Sequence, residues 1–180
     1  MLEIVVPGSE YYDEEKEEFV TTKSCLLRLE HSLISLSKWE SKWKKPFIGK
    51  EKTNEEIIDY IRCMTLTNNV NPLVYQSLTE QNLKDINDYI DDPHTATWFS
   101  DKDKQHGINR EVITSEIIYY WMTAFQIPCE YQKWHLNRLL TLINVCSIKS
   151  QPPKKMSRKD AINNNRALNA ARRQKLHSRG

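Results

Sequence analysis

The sequence predicts an α+β fold that is predominantly helical, with a small N-terminal antiparallel sheet, a helical core hairpin and a basic C-terminal helix. Three observations carry this. Apolar residues recur at helical spacing between Ile113 and Ile148, capping signals precede several other periodic stretches, and residues 25–30 alternate with a period of two.

Leu2-Glu3-Ile4-Val5-Val6 is rich in β-branched residues and stops at Pro7-Gly8, so it reads as a strand followed by a turn. The acidic segment Tyr11 to Glu18 reads as a solvated loop. Phe19 to Thr22 and Cys25 to Glu30 follow as extended stretches, and in the second Cys25, Leu27 and Leu29 form the inward row. Leu33, Leu36, Trp39 and Trp43 then share one helical face, with Ser32 as N-cap and Pro46 as the stop. Thr53 and Glu56 make a capping box for a helix that points Ile57, Tyr60, Ile61 and Met64 inward. Pro72 starts a short helix through Leu78, and Thr79 caps another, with Leu83, Ile86 and Ile90 on one face and a stop at Asp92-Pro93. The polar run from Pro93 to Arg110, punctuated by Gly107, reads as a loop that Trp98 and Phe99 anchor to the core.

The core is expected in the next two segments, SEIIYYWMTAFQI and PCEYQKWHLNRLLTLINVCSI, with Pro128 closing one helix and opening the next. In the first, Ile113, Ile117, Trp121, Ala124 and Phe125 recur at helical spacing. In the second only Lys133, Asn137, Thr141 and Asn144 form a narrow polar stripe, so this helix should be buried around most of its girth. Trp121, Phe125, Leu136, Leu140 and Ile143 are its expected core residues. Gln151 to Lys155 contains Pro152-Pro153 and reads as a stiff exposed linker; Ser157 and Asp160 then cap a last helix whose only sizeable apolar residues are Ile162, Leu168 and Leu176. The organisation is thus a globular domain over 1–150 and a linker with a basic helix over 151–180.

At 180 residues, with 28% charged and 39% hydrophobic residues, the chain suits one soluble domain with an appendage. No apolar run approaches the roughly 18 residues of a membrane span, and the N-terminus lacks the basic and apolar regions of a signal peptide. A cytoplasmic protein is expected, and its four cysteines, Cys25, Cys63, Cys129 and Cys146, are expected to be small buried thiols.

The net charge of +2 conceals an asymmetry. Residues 151–180 hold nine Lys or Arg against Asp160 alone, a net +8, which leaves the first 150 residues at −6. An acidic body with a basic tail invites an intermolecular contact or a polyanion partner.

Catalytic motifs are missing: four glycines build no phosphate cradle, and His31, His94, His106, His135 and His177 show no ligand spacing. The densest patch of unusual residues is Trp134-His135-Leu136-Asn137-Arg138, either a polar contact site or a buried histidine satisfied by hydrogen bonds, the second being the commoner arrangement. Trp39 and Trp43 beside Lys42, Lys44 and Lys45 fit a single-strand stacking patch, but an amphipathic helix with tryptophans on the core and lysines in water explains them more simply.

The segments SLSKWESKWKKPF, EEIIDYIRCMTLT, TATWF, EIIYYWM, WHLNRLLTLI and RALNAARRQKLHSRG together cover much of the chain. As a set they resemble small proteins of bacteriophages with long, non-contractile tails, a group taken to be tail assembly chaperones. The resemblance implies a non-enzymatic helical adaptor, without cofactor, that binds the tape-measure protein in the host cytoplasm, helps recruit tail-tube subunits and is absent from the mature virion. The expected partner-contacting residues are Arg166, Leu168, Arg172, Arg173, Lys175 and Leu176, which meet either the client or the acidic body of a second copy. Two other classes are a nucleic-acid-binding protein using the tail and a minor structural protein at the head–tail junction. With only His177 to offer a ring in the tail, nucleic-acid binding is expected to be weak and non-specific.

Overall fold

The computed structural model describes residues 1–13, 17–99, 112–151 and 158–176. Its fold is α+β and predominantly helical. The chain divides into two units, Met1–Ser147 and Ile148–Gly180.

Four strands open the first unit: β1 (Leu2–Val6), β2 (Glu10–Asp13), β3 (Glu18–Thr21) and β4 (Cys25–Leu29). They form two separate antiparallel pairs, β1 with β4 and β2 with β3. Leu2 lies opposite Leu29 and Val6 opposite Cys25, which puts Ile4, Val6, Leu27 and Leu29 on the buried face and leaves Val5 and Leu26 exposed. Gly8 permits the turn out of β1, because any Cβ there would collide with the Thr22 carbonyl oxygen. Of the expected loop at 11–18, residues 11–13 and 18 belong instead to the paired strands β2 and β3, with Tyr12 opposite Phe19 and Tyr11 opposite Val20, and residues 14–16 lie outside the described residues. Cross-strand aromatic pairing decides the local structure despite the surrounding acids.

Helix α1 (Leu33–Trp43) begins at Ser32, whose hydroxyl accepts from the Ser35 amide at 3.3 Å, and ends at Lys44 in the left-handed conformation with φ 52°. The expected capping box of Thr53 with Glu56 opens α2 (Asn54–Met64), and the expected Thr79 cap opens α3 (Glu80–Asp91), where Asn82 completes a second box that had not been expected. Between them Pro72–Ser77 is a short 3₁₀ turn. Tyr60, Ile61 and Met64 are buried as expected, but Ile57 is open to solvent. Trp98 does not anchor the following segment, being 88% exposed, while Phe99 is half-buried; Gly107 lies outside the described residues.

The expected two-helix core departs from expectation in three ways. Helix α4 spans Ser115–Ala124 and buries Ser115, Ile118 and Met122, so its inward face lies one residue round from the predicted one. Trp121 and Phe125 are therefore only half-buried at its edge, and Ala124 is exposed. The second segment is not one helix: Cys129–Lys133 is a 3₁₀ turn, Trp134 is extended, and α5 runs Leu136–Ser150. The break occurs because His135 bridges Ser32, and the Leu136 amide donates to the His31 carbonyl at 2.7 Å. Lastly, α5 buries only Leu136, Leu139 and Ile143; Leu140 is half-buried, so the helix is not enclosed around most of its girth.

The hairpin is consequently not the sole core. One apolar cluster joins Ile4, Val6, Leu27 and Leu29 to Trp39, Tyr60, Ile61, Met64, Val74, Tyr75 and Ile86. The other joins Leu33 and Leu36 to Ile118, Met122, Leu136, Leu139 and Ile143. Helix α1 contributes to both. The cysteines are free, but Cys25, Cys63 and Cys146 are only partly buried and Cys129 is exposed; Cys25 and Cys63 pack at the margin of the first cluster.

In the second unit, α6 (Arg158–Leu176) is exposed along its described side chains, Ile162, Leu168 and Leu176 included. The linker 152–157, with the predicted Ser157 cap, lies outside the described residues, as does His177. Among the described residues no helix is long and apolar enough to cross a membrane.

Leu139 has no solvent exposure and Leu140 only partial burial. Leu139→Ala should therefore destabilise by about 2–5 kcal/mol, Leu140→Ala by clearly less, and Thr141→Ala least. Urea melts of the three variants check the order.

Candidate functional site

The Trp134–Arg138 patch sits where three elements end. The break before α5 brings His135 against His31 at the start of α1, with ring centroids 5.1 Å apart. His94, just past α3, lies 4.1 Å from the His135 ring, and Tyr89 of α3 meets both His94 and His135 edge-on at 5.0 Å. Three histidines separated widely in sequence thus form one contiguous cluster. No linear spacing signals it; the extended break at Trp134, which pairs His135 with Ser32, brings it about.

Hydrogen bonds fix the cluster's chemistry. His135 Nε2 is 3.0 Å from the Tyr89 carbonyl oxygen, which can only accept, so Nε2 carries the proton. Its Nδ1 is then a bare lone pair, buried and without a partner. His31 Nδ1 lies 2.6 Å from the Tyr60 hydroxyl, and the Tyr89 hydroxyl donates to Glu30 at 2.8 Å. Asn137 donates to the carbonyls of Ile90 and Asp92 at 2.8 and 2.9 Å, closing the C-terminal end of α3. A 270 Å³ pocket opens beside them, lined among others by Glu30, Tyr89, His94 and Arg138. Arg138 stacks 4.1 Å over Trp134, which itself stacks on Tyr131.

Burial, reinforced by His135 and His94, holds the His31 imidazole down at about 3. Burial and then His94 also lower His135. These rings are neutral at pH 7, and the patch is occupied by contacts within the chain. Among the described residues no group of three or more His, Cys, Asp or Glu is placed to hold a metal ion.

The tryptophan and lysine patch is likewise turned inward. Trp39 is fully buried and its indole N–H donates to the Glu56 carbonyl at 2.8 Å; Trp43 donates to Asp59 at 2.8 Å. Lys42 pairs with Asp59 and Lys45 with Glu56, so these two lysines serve α2 instead of facing only water. Trp39 therefore has no open ring face on which a single strand could stack.

The residues predicted to contact a partner all lie on α6 and all are exposed. Leu168, Arg172 and Leu176 are spaced by four and run along one stripe, whereas Arg166 and Arg173, seven apart, share one flank of it and Lys175 lies on the other. The helix therefore offers one apolar-edged stripe with cations on both flanks. The expected core set is divided: Leu136 and Ile143 are buried, and Trp121, Phe125 and Leu140 pack at the rim.

Comparison with family models, curated proteins and solved structures finds no match for this chain.

A histidine near 6.5 when unfolded and near 3 when folded binds its proton in the unfolded state first, so stability falls as pH drops through that interval. Glu56, lowered by its hydrogen bonds from Thr53 and Lys45, loses its contribution only below about 4.5. Urea midpoints should already decline between pH 6.5 and 4.5, and His31→Gln should flatten that decline.

Proposed function

We propose that this chain is a non-enzymatic tail assembly chaperone of a long-tailed bacteriophage, binding the tape-measure protein and assisting tail-tube assembly in the host cytoplasm. The observation that carries the reading is α6: a 19-residue helix in a unit of its own, with Leu168 and Leu176 exposed and Arg166, Arg172, Arg173 and Lys175 around them. A helix that keeps its apolar side chains in water gains stability by laying them against a partner. Its cations suit an acidic stretch of a long helical client. The six segments quoted above supply the phage context. On this reading the body is a folded handle and the tail is the contact, with no reaction assigned to either.

Deleting 158–180 should leave the melting temperature of the body nearly unchanged and abolish co-purification with the tape-measure protein on co-expression. Undiminished capture by the truncated chain would refute the tail's role. Mass spectrometry should find the protein in infected-cell lysate and not in purified particles; stoichiometric recovery from particles would favour a structural virion protein instead.

A further inference from the structure

The β2–β3 hairpin has two unlike faces. Tyr11 turns toward the body, its hydroxyl 2.6 Å from Ser77 Oγ, and the base is held by Ser9 and Thr22, whose amides and oxygens bond at 2.8 and 3.0 Å. On the other face Tyr12 and Phe19 form a cross-strand pair with ring centroids 5.2 Å apart, and they are 54% and 72% exposed. The two strands pair only with each other among the described residues, so their outer edges are open.

Charge identifies what this face suits. Residues 10–18 hold six acids (Glu10, Asp13, Glu14, Glu15, Glu17 and Glu18) against Lys16, a net −5. Five of the six net negative charges of the first 150 residues thus fall within these nine residues of sequence, of which Glu10 and Glu17 have described, exposed side chains at the two strands' ends. Helix α6 carries six cations against Asp160, a net +5, and exposes its apolar residues beside them. Arginine over an aromatic ring adds an attraction that an aliphatic patch would not provide.

We propose that the β2–β3 hairpin is a docking surface for the basic helix α6 of a second copy of this chain. Arg166, Arg172 and Arg173 meet Glu10 and Glu17 while Leu168 and Leu176 cover Tyr12 and Phe19. Such a contact joins different surfaces of the two copies, so it is head-to-tail. Most of its attraction comes from exposed charges, which makes it sensitive to salt. It occupies the same face of α6 that the proposed function gives to the client, so self-association and client binding compete, and because its test contains no tape-measure protein the two readings can fail separately.

The test is sedimentation velocity on the full-length protein across a concentration series at about 0.05 M and about 0.5 M salt, where the screening length falls severalfold. The expected result is mass rising above the monomer with concentration at low salt and returning to the monomer at high salt. A Tyr12→Ser, Phe19→Ser variant, an Arg166→Glu, Arg172→Glu, Arg173→Glu variant and a Glu10→Lys, Glu17→Lys variant should each associate at least tenfold more weakly, with unchanged circular dichroism. Mixing the tail-reversed and hairpin-reversed variants should restore association, because one then brings an intact hairpin and the other an intact tail. A monomer at every concentration assigns the surface to the chain's own tail or to another protein and overturns the proposal. Association that survives the variants, or a mixture that stays monomeric, overturns it equally.

Discussion

A buried carboxylate on α1 ties the two apolar clusters into one body. Glu40 accepts from the Phe47 amide at 2.8 Å and from the Ser115 amide at 2.7 Å, so one side chain holds both the segment after α1 and the start of α4. Thr114, the N-cap of α4, makes no side-chain capping bond of its own. Glu40 takes over that role from a distant part of the chain, and its charge lies at the positive end of the α4 dipole. Trp39, the neighbouring residue, fills the first cluster, while Leu33 and Leu36 fill the second. Helix α1 is accordingly the wall that both halves share.

The same economy shapes the start of α2. Glu56 closes the capping box through the Thr53 amide and pairs with Lys45, while its backbone carbonyl accepts the Trp39 indole N–H. Asp59, one turn on, takes the Trp43 indole and Lys42. Residues 39–45, read in sequence as an amphipathic helix with tryptophans inward and lysines in water, act in space as a latch between α1 and α2. At the other end of α1 the histidine cluster joins the β4–α1 junction to α3 and α5, and the neutral His31 and His135 rings let that joint be buried. Among the described residues the β2–β3 hairpin and α6 both leave aromatic or apolar side chains open to solvent.

Features encoded by neighbours in sequence were legible before any coordinates. The Ser32, Thr53 and Thr79 caps depend on atoms three residues apart, and the strand alternation at Cys25–Leu29 depends on pleat alone. Features set by distant partners were not. The break at Trp134 follows from the bridge between His135 and Ser32, and the face of α4 follows from Glu40 gripping Ser115. Strand β2 was hidden because its acids read as a solvated loop while its aromatics acted through Phe19 and Val20. Of the candidate surfaces, the exposed helix α6 could be read from its sparse apolar residues, whereas the histidine cluster required three remote positions to converge.

Native-state hydrogen exchange tests most directly the claim that α1 is the shared wall. Amides from Leu36 to Trp43 should exchange only through global unfolding and be the slowest in the chain, with those of α4 and α5 and those of β1 and β4 no slower, and those of α6 far faster. If the α1 amides exchange through local opening while α4 and α5, or β1 and β4, stay protected, the two clusters are independent and α1 does not unite them.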